Sequence, residues 1–154
     1  MNIATIIQAR MSSSRLPNKV LKSINGKPVI EYLIDQIYNK NRGMPIIIAT
    51  SKDDSDREIR NYCMQHKIDF HAGDLFNVAS RFYEIIQQYD IDFFVRVSAD
   101  SPLLDGDLIK NALTHINEKV DMITNVMPRT FPKGQSVEVV KCDMFNSNYK
   151  KFES

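Results

Sequence analysis

Ile3-Ala4-Thr5-Ile6-Ile7-Gln8-Ala9-Arg10-Met11-Ser12-Ser13-Ser14-Arg15-Leu16-Pro17-Asn18-Lys19 begins as a short, β-branched apolar run and breaks into a polar, serine-rich loop. A continuous apolar run of this length, bounded by loop residues, reads as a strand buried on both faces, the kind that belongs to a parallel sheet. The segments that follow agree with it. Pro28 stands at a first helical position, and Val29, Ile30, Leu33, Ile34 and Ile37 recur at three- and four-residue spacing. Residues 44–50 are a second buried strand, and Ile59, Tyr62 and Cys63 mark a helix capped near Asp54 or Ser55. Residues 68–72 read as a strand and Val78, Phe82, Ile85, Ile86 and Tyr89 as a helical stripe opened by Asp74 or Asn77. Residues 92–98 form another strand, residues 108–116 another helix, and residues 121–124 and 136–140 short β-like runs before a polar, aromatic tail. The expected fold is α/β: a mostly parallel sheet with helices on both faces, whose ligands sit at the carboxyl ends of the strands.

At 154 residues the chain is the length of one domain. Lys and Arg number 20 against 19 Asp and Glu, a net charge of +1, which gives no reason to expect the broad positive field of a nucleic-acid binder. With 43% apolar and 25% charged residues the composition is that of a globule with a core, not of a disordered chain. No apolar stretch approaches the roughly 18 residues a membrane span needs, and the N-terminus lacks the basic region of a signal peptide. Cys63 and Cys142 are far apart and fit neither a disulfide framework nor a cysteine metal site, so a reducing, cytoplasmic home is expected.

Four segments carry candidate chemistry. Residues 8–19 place Arg10, Arg15 and Lys19 with Ser12, Ser13 and Ser14 after the first strand, where backbone amides and cationic side chains converge on phosphate; the alternative is an ordinary solvated loop. The glycine spacing of the Walker and dinucleotide motifs is missing. Residues 95–103 put Asp100 at the end of an apolar strand, suited to hold a nucleotide's Mg2+ or to close an Asx turn. Residues 73–81 form a strand-to-helix turn ending in Arg81, and residues 131–138 a turn and strand presenting Lys133, Gln135 and Glu138. Asp53, Asp54 and Asp56 read as helix-start residues, His66, His71 and His115 as satisfied side chains, and Met44 and Met122 as core.

Taken in order, Gln8 to Leu21, Gly26-Lys27-Pro28, Gly73 to Glu84, Arg96 to Leu103 and Phe131 to Val139 resemble the cytidylyltransferase family. The nearest branch is the spore-coat polysaccharide type, related to the acylneuraminate and CMP-Kdo synthetases. The resemblance implies a nucleotide-diphospho-sugar transferase type fold, Rossmann-like, and CTP-dependent transfer of CMP to a sugar acid with pyrophosphate release. By position it implies that Arg10, Ser13, Arg15 and Lys19 hold the triphosphate, with Arg10 and Lys19 acting on the reacting phosphates. Ala9 and Arg81 would enclose the nucleotide, Asp100 would bind Mg2+, and Glu138 would face the sugar. It further implies a homodimer, and a family domain whose C-terminal part, with a late acidic segment, lies beyond residue 154. Asn18 stands where this loop usually has glycine, a position asparagine tolerates in the left-handed region. Two other readings stay open: a nucleotide-binding module without turnover, and a glycosyltransferase of the same fold. The second wants Asp-x-Asp where this chain has Ser98-Ala99-Asp100.

Overall fold

Side chains alternate across a strand, so a strand apolar at every position must be covered on both sides. In β1 (Ile3–Gln8), Ile7 joins one apolar layer while Ala4 and Ile6 join the other. The computed structural model describes residues 1–13 and 16–152. After β1 come a small hairpin of β2 (Ser23–Ile24) and β3 (Lys27–Pro28), then α1 (Val29–Lys40), β4 (Ile46–Ser51) and α2 (Arg57–His66). There follow β5 (Asp69–Gly73), α3 (Val78–Gln88), β6 (Phe93–Ser98), α4 (Gly106–Leu113), β7 (Met122–Thr124), β8 (Glu138–Lys141) and α5 (Cys142–Asn148).

The sheet runs β5-β4-β1-β6-β8-β7. β5, β4, β1 and β6 are parallel, and β8 is antiparallel to both β6 and β7. One layer takes Ile30, Leu33 and Ile37 from α1, Ile59, Tyr62 and Cys63 from α2 and Ile109 from α4. The other takes Phe82, Ile85 and Ile86 from α3 with Met144 and Phe145 from α5. Ile30, Leu33 and Ile37 are fully buried, and each stabilises the α1 contact by about 1.5–3 kcal/mol.

From β1 the chain moves outward through β4 to β5 and then returns to β6 on the other side of β1. That reversal places the topological switch point at the carboxyl ends of β1 and β6, where open α/β sheets form their binding crevice. The helix starts follow local chemistry. Asn77 accepts the Ser80 amide at 2.9 Å ahead of α3, and Asp105 accepts the Asp107 amide at 2.9 Å ahead of α4.

One expectation is corrected. Met122 is 45% exposed rather than core, because β7 is the edge strand and Ile123 is the residue it turns into the α1/α2/α4 layer. The tail forms α5 and a 3-10 turn at Tyr149–Phe152, where Phe145 meets Phe94 edge-on at 5.5 Å. Seven helical residues are too few for their periodicity to stand out in the sequence.

Candidate active site

Beyond the last hydrogen bonds of β1 the chain turns at Met11, whose side chain is buried with Val20 in the core. The Met11 carbonyl accepts the amides of Ser13 at 2.9 Å and of Asn18 at 3.0 Å, folding the loop back on itself. Asn18 takes the left-handed conformation, φ 59° and ψ 16°, and a 3-10 turn at Lys19–Leu21 follows. The loop thereby becomes the wall of a polar cleft of about 200 Å³ lined by Gln8, Arg10, Ser13, Lys19, Val20, Ser98 and Asp100. Four of the residues expected to act together are thus brought to one place: Arg10, Ser13, Lys19 and Asp100. Arg15 lies outside the described residues.

Across the cleft, Asp100 follows the end of β6. One carboxylate oxygen is ion-paired with the Lys19 ammonium, and the other accepts the Ser98 hydroxyl at 2.6 Å. Burial raises the Asp100 carboxyl, but Lys19 and Ser98 together hold it below the ordinary carboxylate range. It therefore presents a charged oxygen donor at neutral pH. No group of three or more His, Cys, Asp or Glu residues clusters as a metal cage among the described residues. A lone carboxylate beside a phosphate-sized cleft fits Mg2+, which keeps waters and takes ligands from phosphate.

A second cleft of similar size adjoins the first through Gln8 and Ser98, and is lined also by Arg96, Val97, Val126, Ser136 and Glu138. Arg96 and Glu138 are partners in the β6/β8 register and form an ion pair, and Arg96 also donates to the Gln8 side-chain oxygen at 3.2 Å. Glu138 thus stands in this adjoining cleft, beside the cationic one. Arg96 and Gln8 are the side chains that sequence reasoning passed over. The signal for Arg96 was a single charge inside an otherwise apolar strand, on the same face as Phe94.

Other expected residues lie elsewhere. The Ala9 amide donates to the Ala49 carbonyl at 2.9 Å, extending the sheet by one residue. The Gln135 side chain clamps Asp105 N–H at 2.9 Å and the Leu103 carbonyl at 2.6 Å, a structural tie between loops. Arg81 is 1% exposed, and its guanidinium nitrogens have no hydrogen-bond partner among the described residues. Burial pulls its pKa down, with attraction from Asp56 opposing and repulsion from Arg10 adding. Arg81 is thus buried and is not among the residues lining the cleft. Gly73 makes room for it: a Cβ there would stand 2.6 Å from the Arg81 Cγ.

The acidic helix start divides in function. Asp53 caps by accepting the Ser55 amide at 2.9 Å, as expected. Asp56 does not cap: its carboxylate turns inward and accepts the Met11 amide at 2.6 Å and the Ser51 amide at 3.3 Å. His71 is satisfied by Glu84 at 2.6 Å, and His66 stacks on Tyr62. Cys63 and Cys142 are free and buried, and burial raises both thiols to about 12, far from reactive thiolates.

Comparison with known proteins gives concordant results. A family profile described as cytidylyltransferase matches residues 4–150. The spore coat polysaccharide biosynthesis protein SpsF of Bacillus subtilis is 30% identical over 113 residues, covering 70% of this chain and 47% of that protein. A 3-deoxy-manno-octulosonate cytidylyltransferase of Brucella suis is 33% identical over 122 residues, covering 77% of this chain and 47% of that protein. A solved cytidylyltransferase from Leptospira borgpetersenii superimposes with a TM-score of 0.89 at 21% identity, covering 96% of this chain and 63% of that one. The chain therefore spans about half the length of the two curated relatives.

Proposed function

The chain belongs to the cytidylyltransferase family, and from that premise we propose that it binds CTP with Mg2+ and transfers CMP to a sugar acid, releasing pyrophosphate. The observation that carries this reading is the single cleft in which Arg10, Ser13, Lys19 and Asp100 converge at the switch point. A cytidylyl group is transferred from its activated triphosphate, so the donor site must hold several charged oxygens at once. Arg10 and Lys19 supply the positive charge for them, Ser13 adds a hydroxyl donor, and Arg15 falls between them in the sequence. Asp100 would hold Mg2+, which when bound adds charge neutralisation on the triphosphate.

In the reaction a sugar hydroxyl oxygen bonds to the α-phosphorus while the bond to the pyrophosphate oxygen breaks, and the hydroxyl proton is released. Lys19, drawn from Asp100 onto the phosphates, and Arg10 offset the charge that grows on the departing oxygens. The triphosphate then lies between two neighbours in sheet order. Ala9 and the region above Arg81, towards β4 and β5, take the nucleoside, and the Arg96–Glu138 cleft, towards β8, takes the acceptor, with Glu138 accepting a sugar hydroxyl. The name of the Brucella relative supports an acidic sugar as acceptor class. A cytoplasmic location, favoured by two free cysteines, and a homodimer are part of this reading.

A narrower reading is nucleotide binding without turnover, since the cleft residues Arg10, Ser13, Lys19 and Asp100 suit a triphosphate whether or not an acceptor follows. Pyrophosphate release measured with CTP, Mg2+ and a panel of acidic sugars including 3-deoxy-manno-octulosonate separates the two. Release that requires both CTP and an acceptor supports the transferase. CTP binding without release from any acceptor leaves the narrower reading, and absence of CTP binding contradicts both.

A further inference from the structure

Asp56 is a fully buried carboxylate that caps nothing, in a segment whose neighbours Asp53 and Asp54 are exposed. An ionised carboxylate taken wholly out of water is costly unless its oxygens are hydrogen-bonded and its charge is matched. The first condition is met here. One oxygen accepts the Met11 amide at 2.6 Å, and the other accepts the Ser51 hydroxyl and, at 3.3 Å, the Ser51 amide. On the charge side, Asp56 attracts Arg81, a buried guanidinium with no hydrogen-bond partner among the described residues.

Met11 is the hinge pin of the loop. Its amide goes to Asp56, its carbonyl receives Ser13 and Asn18, and its side chain is 3% exposed. Ser51 is the last residue of β4. Asp56 therefore ties the end of β4 to the one residue that separates Arg10 from Ser12 and Ser13. Among the described residues no other side chain hydrogen-bonds the loop base to β4.

We propose that Asp56 is the positioning residue of the phosphate loop, fixing through Met11 the height at which Arg10, Ser13 and Lys19 meet a polyphosphate. The inference rests on the proposed CTP-binding reading. Asp56 touches no substrate and acts only through the loop backbone.

The test is calorimetric titration with Mg–CTP of the unaltered protein, Asp56→Asn and Asp56→Ala, each well below its own melting temperature, with hydrogen exchange followed at the Met11 amide. Asparagine keeps an oxygen for Met11 N–H, whereas alanine removes it. Asp56→Ala is expected to weaken Mg–CTP about tenfold, the value of one charge-assisted hydrogen bond, and to open Met11 to exchange. Asp56→Asn is expected to recover most of the affinity and protection. A purely structural role would lower the melting temperature of both variants and leave affinity unchanged in the folded protein. Should Asp56→Ala fail to fold, free exchange at Met11 in the unaltered protein, or Asp56→Asn as weak as a loop with Arg10 removed, overturns the proposal. A protein that binds no Mg–CTP overturns the functional reading and this inference with it. Equal Mg–CTP affinity with and without the Asp56 carboxylate overturns the inference alone.

Discussion

Asn18 occupies a backbone conformation that costs most side chains about 1 kcal/mol or more, and it does so where its amide closes the loop onto Met11. Asn18→Ala is expected to lose about 1 kcal/mol in urea unfolding, while Asn18→Gly stays within a few tenths of the unaltered protein. Asp74 shows a second local economy of hydrogen bonding. Its carboxylate accepts the amides of Asn77 and Phe76 at 2.7 Å each, and these bonds hold its pKa below the ordinary carboxylate value. The folded pKa thus lies below the unfolded one, about 3.9. Its contribution to stability is present above that pH and is lost as pH falls through the folded value. Asp74→Asn is therefore expected to flatten the acid limb of a stability-against-pH curve while leaving the limb near neutrality unchanged in slope. The loop turn was legible residue by residue, because asparagine at a left-handed position is a local fact. The partnership of Asp56 with Met11, 45 positions apart, was not, since an acidic residue at a helix start reads as a cap until the fold shows where it points.

Among the elements, α1 and α4 meet at a point where only glycine fits. A Cβ on Gly106 would run into the Gln36 carbonyl and stand 2.8 Å from the Lys40 side chain. Gly106→Ala forces the two helices apart, and a loss of about 1–3 kcal/mol is expected by thermal or denaturant unfolding, with the cleft residues untouched. The strands and longer helices were readable from periodicity, since β1, β4 and β6 are mostly apolar runs on both faces and α1 and α3 carry clean stripes. What periodicity does not carry is order. The insertion of β8 between β6 and β7, antiparallel to both, sets Glu138 against Arg96, and nothing local to either residue announces that pairing.

Over the whole molecule, the chain's return from β5 to β6 gathers a near-neutral set of charges into one basic cleft. A net charge of +1 spread over 154 residues predicts no general affinity for polyanions, so the proposed triphosphate binding rests on local convergence at the switch point. Arg10, Ser13, Lys19 and Asp100 were identified by motif order and are brought together by the fold, whereas Arg81 is buried away from the cleft lining and Glu138 stands in the adjoining cleft. The measurement that bears most directly on this account is equilibrium binding of Mg–CTP to the unaltered protein, Lys19→Ala and Asp100→Ala. The account predicts one site, weakened tenfold or more by either substitution with the fold intact, as expected when a charge-assisted contact or the metal's carboxylate is lost. Affinity for Mg–CTP that is the same in all three proteins would contradict it.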